Sequence, residues 1–481
     1  MSDSTRTIHF VSLGCPKNRV DSEVMLGVAE RVGYRHVSDA EGAEVIVINT
    51  CGFIDSAKQE SIDTILELAE HKRAGTCKKL VVTGCLSQKY SGDLASELPE
   101  VDHFLGSSDM LKLEPVLAGT GQRMLVGNPA EWVISASDPR RLSTRGRSAY
   151  VKIAEGCNRN CSFCIIPQLR GKQRSRTIDD VVAEVEALAA AGVIEINLVS
   201  QDTIAYGRDQ GVGESLLAQL VRRVADVPGI RWVRIFYLYP EKLTDDVIEL
   251  IAQHPNVVPY VDMPLQHVSD PILRAMRRGH GGDRIRALVE RVRKQIPGVT
   301  FRSAFIVGHP GETQKEFDEL CEFVQWAELD RVGVFRYSDE PTSHSFTLGE
   351  KVPEEVAAER VAELMERQRP ISQRKNEQFV GKTLEVLVEG PSEEDEMVMV
   401  GRHAGQAPDI DGVVYVSGAP DSADAALPGQ LLRGTVTQAT DYDLLLEVDE
   451  EILPAAATAS RGSIRMHSSD GRRVGLRVLP G

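Results

Sequence analysis

Short β-branched runs alternate with helical patterns through most of this chain, which confines it to α/β architectures with parallel strands and right-handed crossovers. From Thr7 to about Gly106 the runs are IHFVSL, VIVINT, KLVVTG and HFLG, with helical patterns at 18–31, 56–72 and 88–97 between them. Residues 1–115 are therefore expected to form an N-terminal open parallel α/β domain. Residues 116–148, rich in Gly, Ser, Pro and Arg, read as a linker. Over 149–350 the alternation resumes, with AYVKIAEG, EINLVS, WVRIFYLYP, VVPYVDMPL, TFRSAFIVG and RVGVFRYS as strands. Six units are too many for the first sheet to absorb and too few to close an eight-stranded barrel, so a central partial (β/α)6 barrel is expected. Residues 351–380 read as a connecting helix, with Pro353 near its start where proline is tolerated. Residues 381–450 read as a small antiparallel β-barrel of five strands, and 451–481, without periodicity, as a disordered tail.

The chain has 481 residues and a formal net charge of −16, with 42% apolar and 26% charged residues, which is ordinary globular usage. It lacks a basic-then-apolar leader and any uncharged apolar run of about 18 residues, so a cytoplasmic protein with no membrane association is expected. Its eight cysteines are then thiols, metal ligands or catalytic groups rather than a disulfide framework.

Cys157, Cys161 and Cys164 form a C-x3-C-x2-C loop just after the first strand of the partial barrel, at the end where β/α barrels carry their chemistry. Three thiolates can each bind one iron of a four-iron cluster. One iron is left open to chelate the amino and carboxylate groups of a small molecule. A zinc site would want a fourth Cys or His, and none follows within roughly 80 residues. Other loops at the same strand ends could line the pocket: Gln201 and Asp202 in VSQDT, Gln266 and His267 in MPLQH, Gly308 and Gly311 in FIVGHPGET. Capping and packing account for such residues equally well.

Cys15, Cys51 and Cys85 each follow directly on a strand, in VSLGC, VINTC and VTGC. Every strand-to-helix turn of a parallel sheet lies at one edge, so the three thiols are expected to converge and hold a second cluster. A buried structural cysteine would explain one such position easily, but three in the same slot less so. Cys77 precedes its strand and Cys321 lies on an apolar helical face. Both read as free thiols.

The C-x3-C-x2-C loop, with Phe163 before its last cysteine, resembles the radical S-adenosylmethionine superfamily. That resemblance implies a 4Fe-4S cluster on Cys157, Cys161 and Cys164, and S-adenosylmethionine cleaved to a 5'-deoxyadenosyl radical with the backbone around Phe163 against the adenine. The order GCPKNRVDSE, NTCGF, TGC, CNRNCSFC and a terminal barrel, over about residues 7–450, looks like the methylthiotransferases. It implies a second 4Fe-4S cluster on Cys15, Cys51 and Cys85 that carries sulfur and receives a methyl group, while the radical opens the substrate carbon. S-adenosylmethionine is then used in two ways, and Gln201, Gln266 and Gly308 are candidates to contact it.

The family divides between enzymes acting on an adenosine of transfer RNA and enzymes acting on an aspartate of small-subunit ribosomal protein twelve. The terminal barrel, which resembles the TRAM domain, is the expected recognition module. Residues 381–448 hold three Lys or Arg (Lys382, Arg402, Arg433) against thirteen Asp or Glu, a net charge of −10. Such a surface repels phosphate and suits a basic protein, so RNA contact is not favoured. GCPKN and GRHAGQAPDIDGVVYV look like the ribosomal-protein branch, whereas the transfer-RNA branch has Gln-Met-Asn after its cysteine. The expected activity is methylthiolation of the aspartate β-carbon, on free protein or assembled subunit, with an unidentified electron donor. The alternatives are the transfer-RNA enzyme and an iron-sulfur electron-transfer protein without turnover. Two features depart from the family. His309 stands where Phe is usual and reads as a packed neutral histidine. The tail from Arg461 has five arginines against one aspartate and reads as a solvated basic segment.

Overall fold

The computed structural model describes residues 6–144, 146–211, 215–418, 426–455 and 465–467. Its N-terminal sheet is built from β1 (Thr7–Leu13), β2 (Arg35–His36), β3 (Val45–Thr50), β4 (Lys79–Gly84), β5 (His103–Leu105) and β6 (Met124–Leu125). All pair in parallel, in the order β2-β1-β3-β4-β5-β6. Both faces are covered, as the near-continuous apolar strands require. Alternate residues serve opposite cores: Ile8, Phe10, Val45, Val47 and Val81 face one, Val11, Leu13, Ile46, Ile48 and Val82 the other.

The six barrel strands follow, with a short antiparallel ribbon inserted after the first. They are β7 (Ser148–Lys152), the ribbon β8 (Ala154–Glu155) with β9 (Arg174–Ser175), then β10 (Glu195–Val199), β11 (Trp232–Ile235), β12 (Tyr260–Asp262), β13 (Thr300–Val307) and β14 (Arg331–Arg336). β7, β10 and β11 form one parallel trio and β12, β13 and β14 another, joined by a bridge between Val233 and Val257. The helix Glu354–Glu377 packs on β14 and leads to the terminal barrel. That barrel closes through β15 (Thr383–Pro391), β16 (Met399–His403), β17 (Val414–Ser417), β18 (Leu431–Ala439) and β19 (Leu444–Leu453) in the order β15-β16-β17-β19-β18. Five strands were expected to be antiparallel throughout, but β17 and β19 run parallel because the chain crosses the barrel end between them.

The boundaries differ from the expected ones where packing extends an element. The segment 116–148 adds β6 to the first sheet and then lies across the helix Pro16–Arg31. A Cβ on Gly27 would come within 2.5 Å of the Pro139–Arg140 backbone. The tail begins inside β19, and β20 (Arg465–His467) runs parallel to β1. The rest of the basic tail lies outside the described residues. Among the described residues no helix is long and apolar enough to cross a membrane.

The three domains share one core. Phe10, Val24 and Val47 of the first domain, Tyr150, Phe236 and Tyr260 of the second, and Leu387, Ala407 and Leu431 of the third belong to one contiguous cluster. The GRHAGQAPDID segment lies within this junction. Its Arg402 pairs with Glu195 on β10 (2.6 Å) and Asp409 with Arg19 (3.0 Å), while the Tyr260 hydroxyl donates to Asp411 and the Tyr150 hydroxyl to the Pro408 carbonyl (2.7 Å each). A segment that looked like a branch signature is thus a clasp between domains.

Two buried histidines, His403 on the terminal barrel and His309 in the central one, make the fold sensitive to acid. Burial, reinforced for His403 by the Arg331, Arg234 and Arg402 charges, pushes His403 down to about 3, and burial pushes His309 down to about 4. His309 is fully enclosed and bonded to Ser345, the packed neutral state expected for it. Between these values and the ordinary value near 6.5 the unfolded chain binds more protons than the folded one, so stability falls as pH drops below about 6.5. Each histidine should cost about 1.4 kcal/mol per pH unit. Urea midpoints are expected to be lower at pH 5.5 than at pH 7.5, and His403→Gln should flatten that dependence.

Candidate metal centres

Cys15, Cys51 and Cys85 stand at the carboxyl ends of β1, β3 and β4, and glycines let their loops close together. Gly14, at φ +85°, has space for no side chain: a Cβ there would lie 2.8 Å from the Cys51 Cβ. A Cβ on Gly52 would come within 3.0 Å of the Cys85 carbonyl carbon. Buried Asn18 ties the strand ends, donating to the Leu13 and Thr50 carbonyls (3.0 Å each). Burial, with the neighbouring Cys85 and Cys15 sulfurs, pushes the Cys51 thiol up to about 12. Burial raises Cys85 as well, opposed by the Arg170 guanidinium, whose Nε donates to its sulfur at 3.2 Å. The three thiols thus neighbour one another at one sheet edge, close enough for their charges to interact.

The second trio follows β8. Gly156, at φ +81°, turns the chain so closely that a Cβ would lie 2.3 Å from the Lys172 carbonyl. Backbone N–H groups of Arg159 and Ile166 point at the sulfurs of Cys157 and Cys164 (3.4 and 3.5 Å), and Arg278 approaches Cys161 at 3.7 Å. Donors aimed at sulfur suit thiolates that carry charge, although burial pushes the free Cys157 thiol up to about 11 and Cys164 up also. Ser162 in the same loop bonds to Ala275 and Met276, and its carbonyl accepts from Ser345, spanning the open barrel mouth. Half-buried Phe163 lies on this loop. Three soft donors, two with a backbone N–H and one with a guanidinium on the sulfur, fit a cluster of the 4Fe-4S type with one iron open. Among the described residues no three Cys, His, Asp or Glu side chains converge on a point that a single metal ion could fill.

The two trios adjoin. Cys85 packs against Ile165 and Leu169, on the turn just after Cys164, with Phe53 beside them. Between the trios lies a buried charge network that the sequence reading missed. Asp21 accepts from Lys152 (2.6 Å) and Arg170 (2.7 Å), Glu155 pairs with the same two cations, and Gln201 donates to Glu155 (2.5 Å). Burial would raise Glu155, but Lys152 and Arg170 hold it at about 2. Arg159 and Arg278 lie against the Tyr239 ring, 3.7 and 4.0 Å from its centroid, and Arg159 also pairs with Asp202 (2.6 Å). Placing these residues needed the interdomain packing. The only local signal was the density of charge in strand and helix positions expected to be apolar.

Of the other expected residues, Gln201 retains an unpartnered Oε1 and Gln266 is held at φ +72°, a strained conformation for a side-chain-bearing residue. His267 is enclosed and its Nδ1 accepts from the Ser269 N–H. Gly308 has a packing reason: a Cβ would lie 2.6 Å from the Ala357 Cβ on the connecting helix. Gly311, at φ +84°, donates to the Glu350 carbonyl. Cys77 and Cys321 are buried, and neither belongs to a trio.

Residues 7–106 match the uncharacterized protein family UPF0004, residues 151–324 the radical SAM superfamily and residues 380–448 the TRAM domain. The chain is 64% identical to the ribosomal protein uS12 methylthiotransferase RimO of Sorangium cellulosum, over 99% of this chain and 98% of that one. The enzyme of the same name from Myxococcus xanthus is 48% identical over 92% of each chain. The chain belongs to the uS12 methylthiotransferase family. Membership bears out the resemblance drawn from the cysteine order and GCPKN, and sets aside the transfer-RNA branch and an electron carrier without turnover. As a radical SAM protein of this family it is expected to use S-adenosylmethionine and a 4Fe-4S cluster. Among solved structures, the radical S-adenosylmethionine methyltransferase TsrM from Kitasatospora setae shares the fold, with a TM-score of 0.50 and 16% identity over 69% of this chain and 73% of that one.

Proposed function

We propose that the chain methylthiolates the β-carbon of an aspartate on ribosomal protein uS12, with Cys157, Cys161 and Cys164 holding one 4Fe-4S cluster and Cys15, Cys51 and Cys85 a second. When bound, these groups supply reductive cleavage of S-adenosylmethionine at the first trio and a methylated sulfur at the second. The chain's own residues bind, orient and exclude water. Phe163, Gln201 and Gln266 are the side chains proposed to meet S-adenosylmethionine; Gly308 contributes backbone shape. Arg170 spans the trios, bonding to Cys85 from the helix that follows Cys164, and this single contact carries the reading, because one substrate carbon must lie within reach of both. The shared core holds that distance, and reactive species are kept from water by burial of the network around Asp21 and Glu155.

The acidic terminal barrel supports a basic protein partner. Glu393, Glu394, Asp395 and Glu396 precede Met397, which is 91% exposed, on a turn between β15 and β16. A field of this sign would steer a basic ribosomal protein toward the site, in a cytoplasmic setting with a separate electron donor. Mass spectrometry of uS12 from a strain lacking this gene tests the reading: the methylthio mass addition is expected to vanish, and its persistence would refute it. Transfer RNA digested from the same strain should keep its methylthioadenosine.

A further inference from the structure

Lys17 is the cation that the space between the trios leaves over. Two cations, Lys152 and Arg170, share two carboxylates, Asp21 and Glu155, so that set balances itself. Lys17 is buried beside it, 8% exposed, yet no described carboxylate lies within ion-pair distance of its ammonium. Its Nζ instead sits 3.6 Å from the centroid of the Tyr237 ring. Tyr237 is held at φ +58°, with its N–H bonded to Asp262 at 3.0 Å, so the ring beneath the ammonium is fixed.

The backbone adds to the excess of positive charge. Lys17 occupies the first turn of the 16-residue helix Pro16–Arg31, whose N-cap, Cys15, makes no side-chain capping bond. A lysine there faces the positive end of the helix dipole, an arrangement that stabilises the fold poorly and an anion well. Arg278, which has no carboxylate within ion-pair distance among the described residues, contacts Cys161, and Arg159 is taken by Asp202 and Glu241.

We infer that Lys17 receives the carboxylate of the target aspartate and so selects an acidic side chain over a neutral one. The inference rests on the proposed reading that an aspartate of uS12 enters between the trios. Its β-carbon must be within reach of both, which brings the carboxylate, one bond away, into the space beside Cys15. A carboxylate leaving water needs a cation there, and Lys17, which rests on Tyr237 beside Cys15, is the one with no described carboxylate within ion-pair distance.

The test compares affinities of the reconstituted full-length chain for uS12 and for uS12 with its target Asp→Asn, measured anaerobically. The unaltered chain is expected to prefer the aspartate form by about 10- to 100-fold. Lys17→Met, which keeps the volume, and Lys17→Gln should bind both forms within about threefold of each other, losing affinity for the aspartate form only. Equal weakening toward both forms, with the preference kept, would assign Lys17 to the fold or the cysteine loop and overturn the inference. So would equal affinity of the unaltered chain for both forms. An unaltered chain with no affinity for uS12 would instead sink the substrate reading itself, and the role of Lys17 with it.

Discussion

Cys157→Ala should reduce 5'-deoxyadenosine formation from S-adenosylmethionine and a strong reductant to background, whereas Cys51→Ala should keep that cleavage and lose methylthiolated uS12. Cys157 is one of only three thiols at its loop, and no described His or Cys stands ready to replace it. Losing a group that merely orients a metal ligand costs about 10- to 100-fold, so losing the ligand should cost more. Cys51 lies in the other trio, enclosed against Gly14, and its truncation removes one sulfur without touching the Cys157 loop. Both variants should fold, because each leaves a space of a single sulfur atom. Cleavage and product are read in one anaerobic assay by chromatography and by mass spectrometry of uS12. The reverse pattern would exchange the roles of the trios.

Glu195→Gln should destabilise the chain by about 3–5 kcal/mol, the range for a buried ion pair that loses one partner. Glu195 is fully buried on β10 between Arg402 (2.6 Å) from the terminal barrel and Arg234 (3.2 Å) on β11. Burial alone would raise its carboxyl, yet the two guanidinium groups hold it at about 2. The folded value lies below the unfolded one, so this contribution is complete above about pH 4.5 and disappears as pH falls toward 2. Substitution removes it at every pH, leaving buried Arg234 without a described carboxylate and Arg402 with Glu389 alone (2.7 Å). Urea unfolding followed by tryptophan fluorescence measures the loss. Because the core is continuous across the domains, the transition should stay single while its midpoint falls.

The order and type of the parallel strands were legible because strands covered on both faces leave continuous β-branched runs, as VIVINT does, while β13, TFRSAFIV, alternates buried and half-buried residues. The cysteines were legible for a related reason. A residue just after a parallel strand has its edge assigned by topology, so Cys15, Cys51 and Cys85 could be brought together without a local motif. The parallel contact of β17 with β19 was not legible, since nothing in GVVYVSG reports which neighbour it will meet. Nor was the network of Asp21, Lys152, Glu155 and Arg170. Those residues belong to separate elements and acquire their pairing only when the first helix is pressed onto the barrel. Gly308 carries a packing role that its strand-end position did not report: a Cβ there would lie 2.6 Å from the Ala357 Cβ on the connecting helix.

The helix Pro16–Arg31 is buried over Lys17–Ala29, with polar and charged residues in its first turns. It begins at a cysteine of the first domain, and Asp21 bonds to Arg170 and Lys152 of the second, while Arg19 bonds to Asp409 of the third. Each domain matches its own sequence family, so the chain looks as if it could exchange parts with its relatives during evolution. This helix constrains the exchange. A borrowed barrel lacking Asp409 would leave buried Arg19 without that carboxylate, and a borrowed radical domain lacking Arg170 would leave Asp21 with Lys152 alone. A domain exchanged singly would therefore have to bring the matching partner for this helix with it.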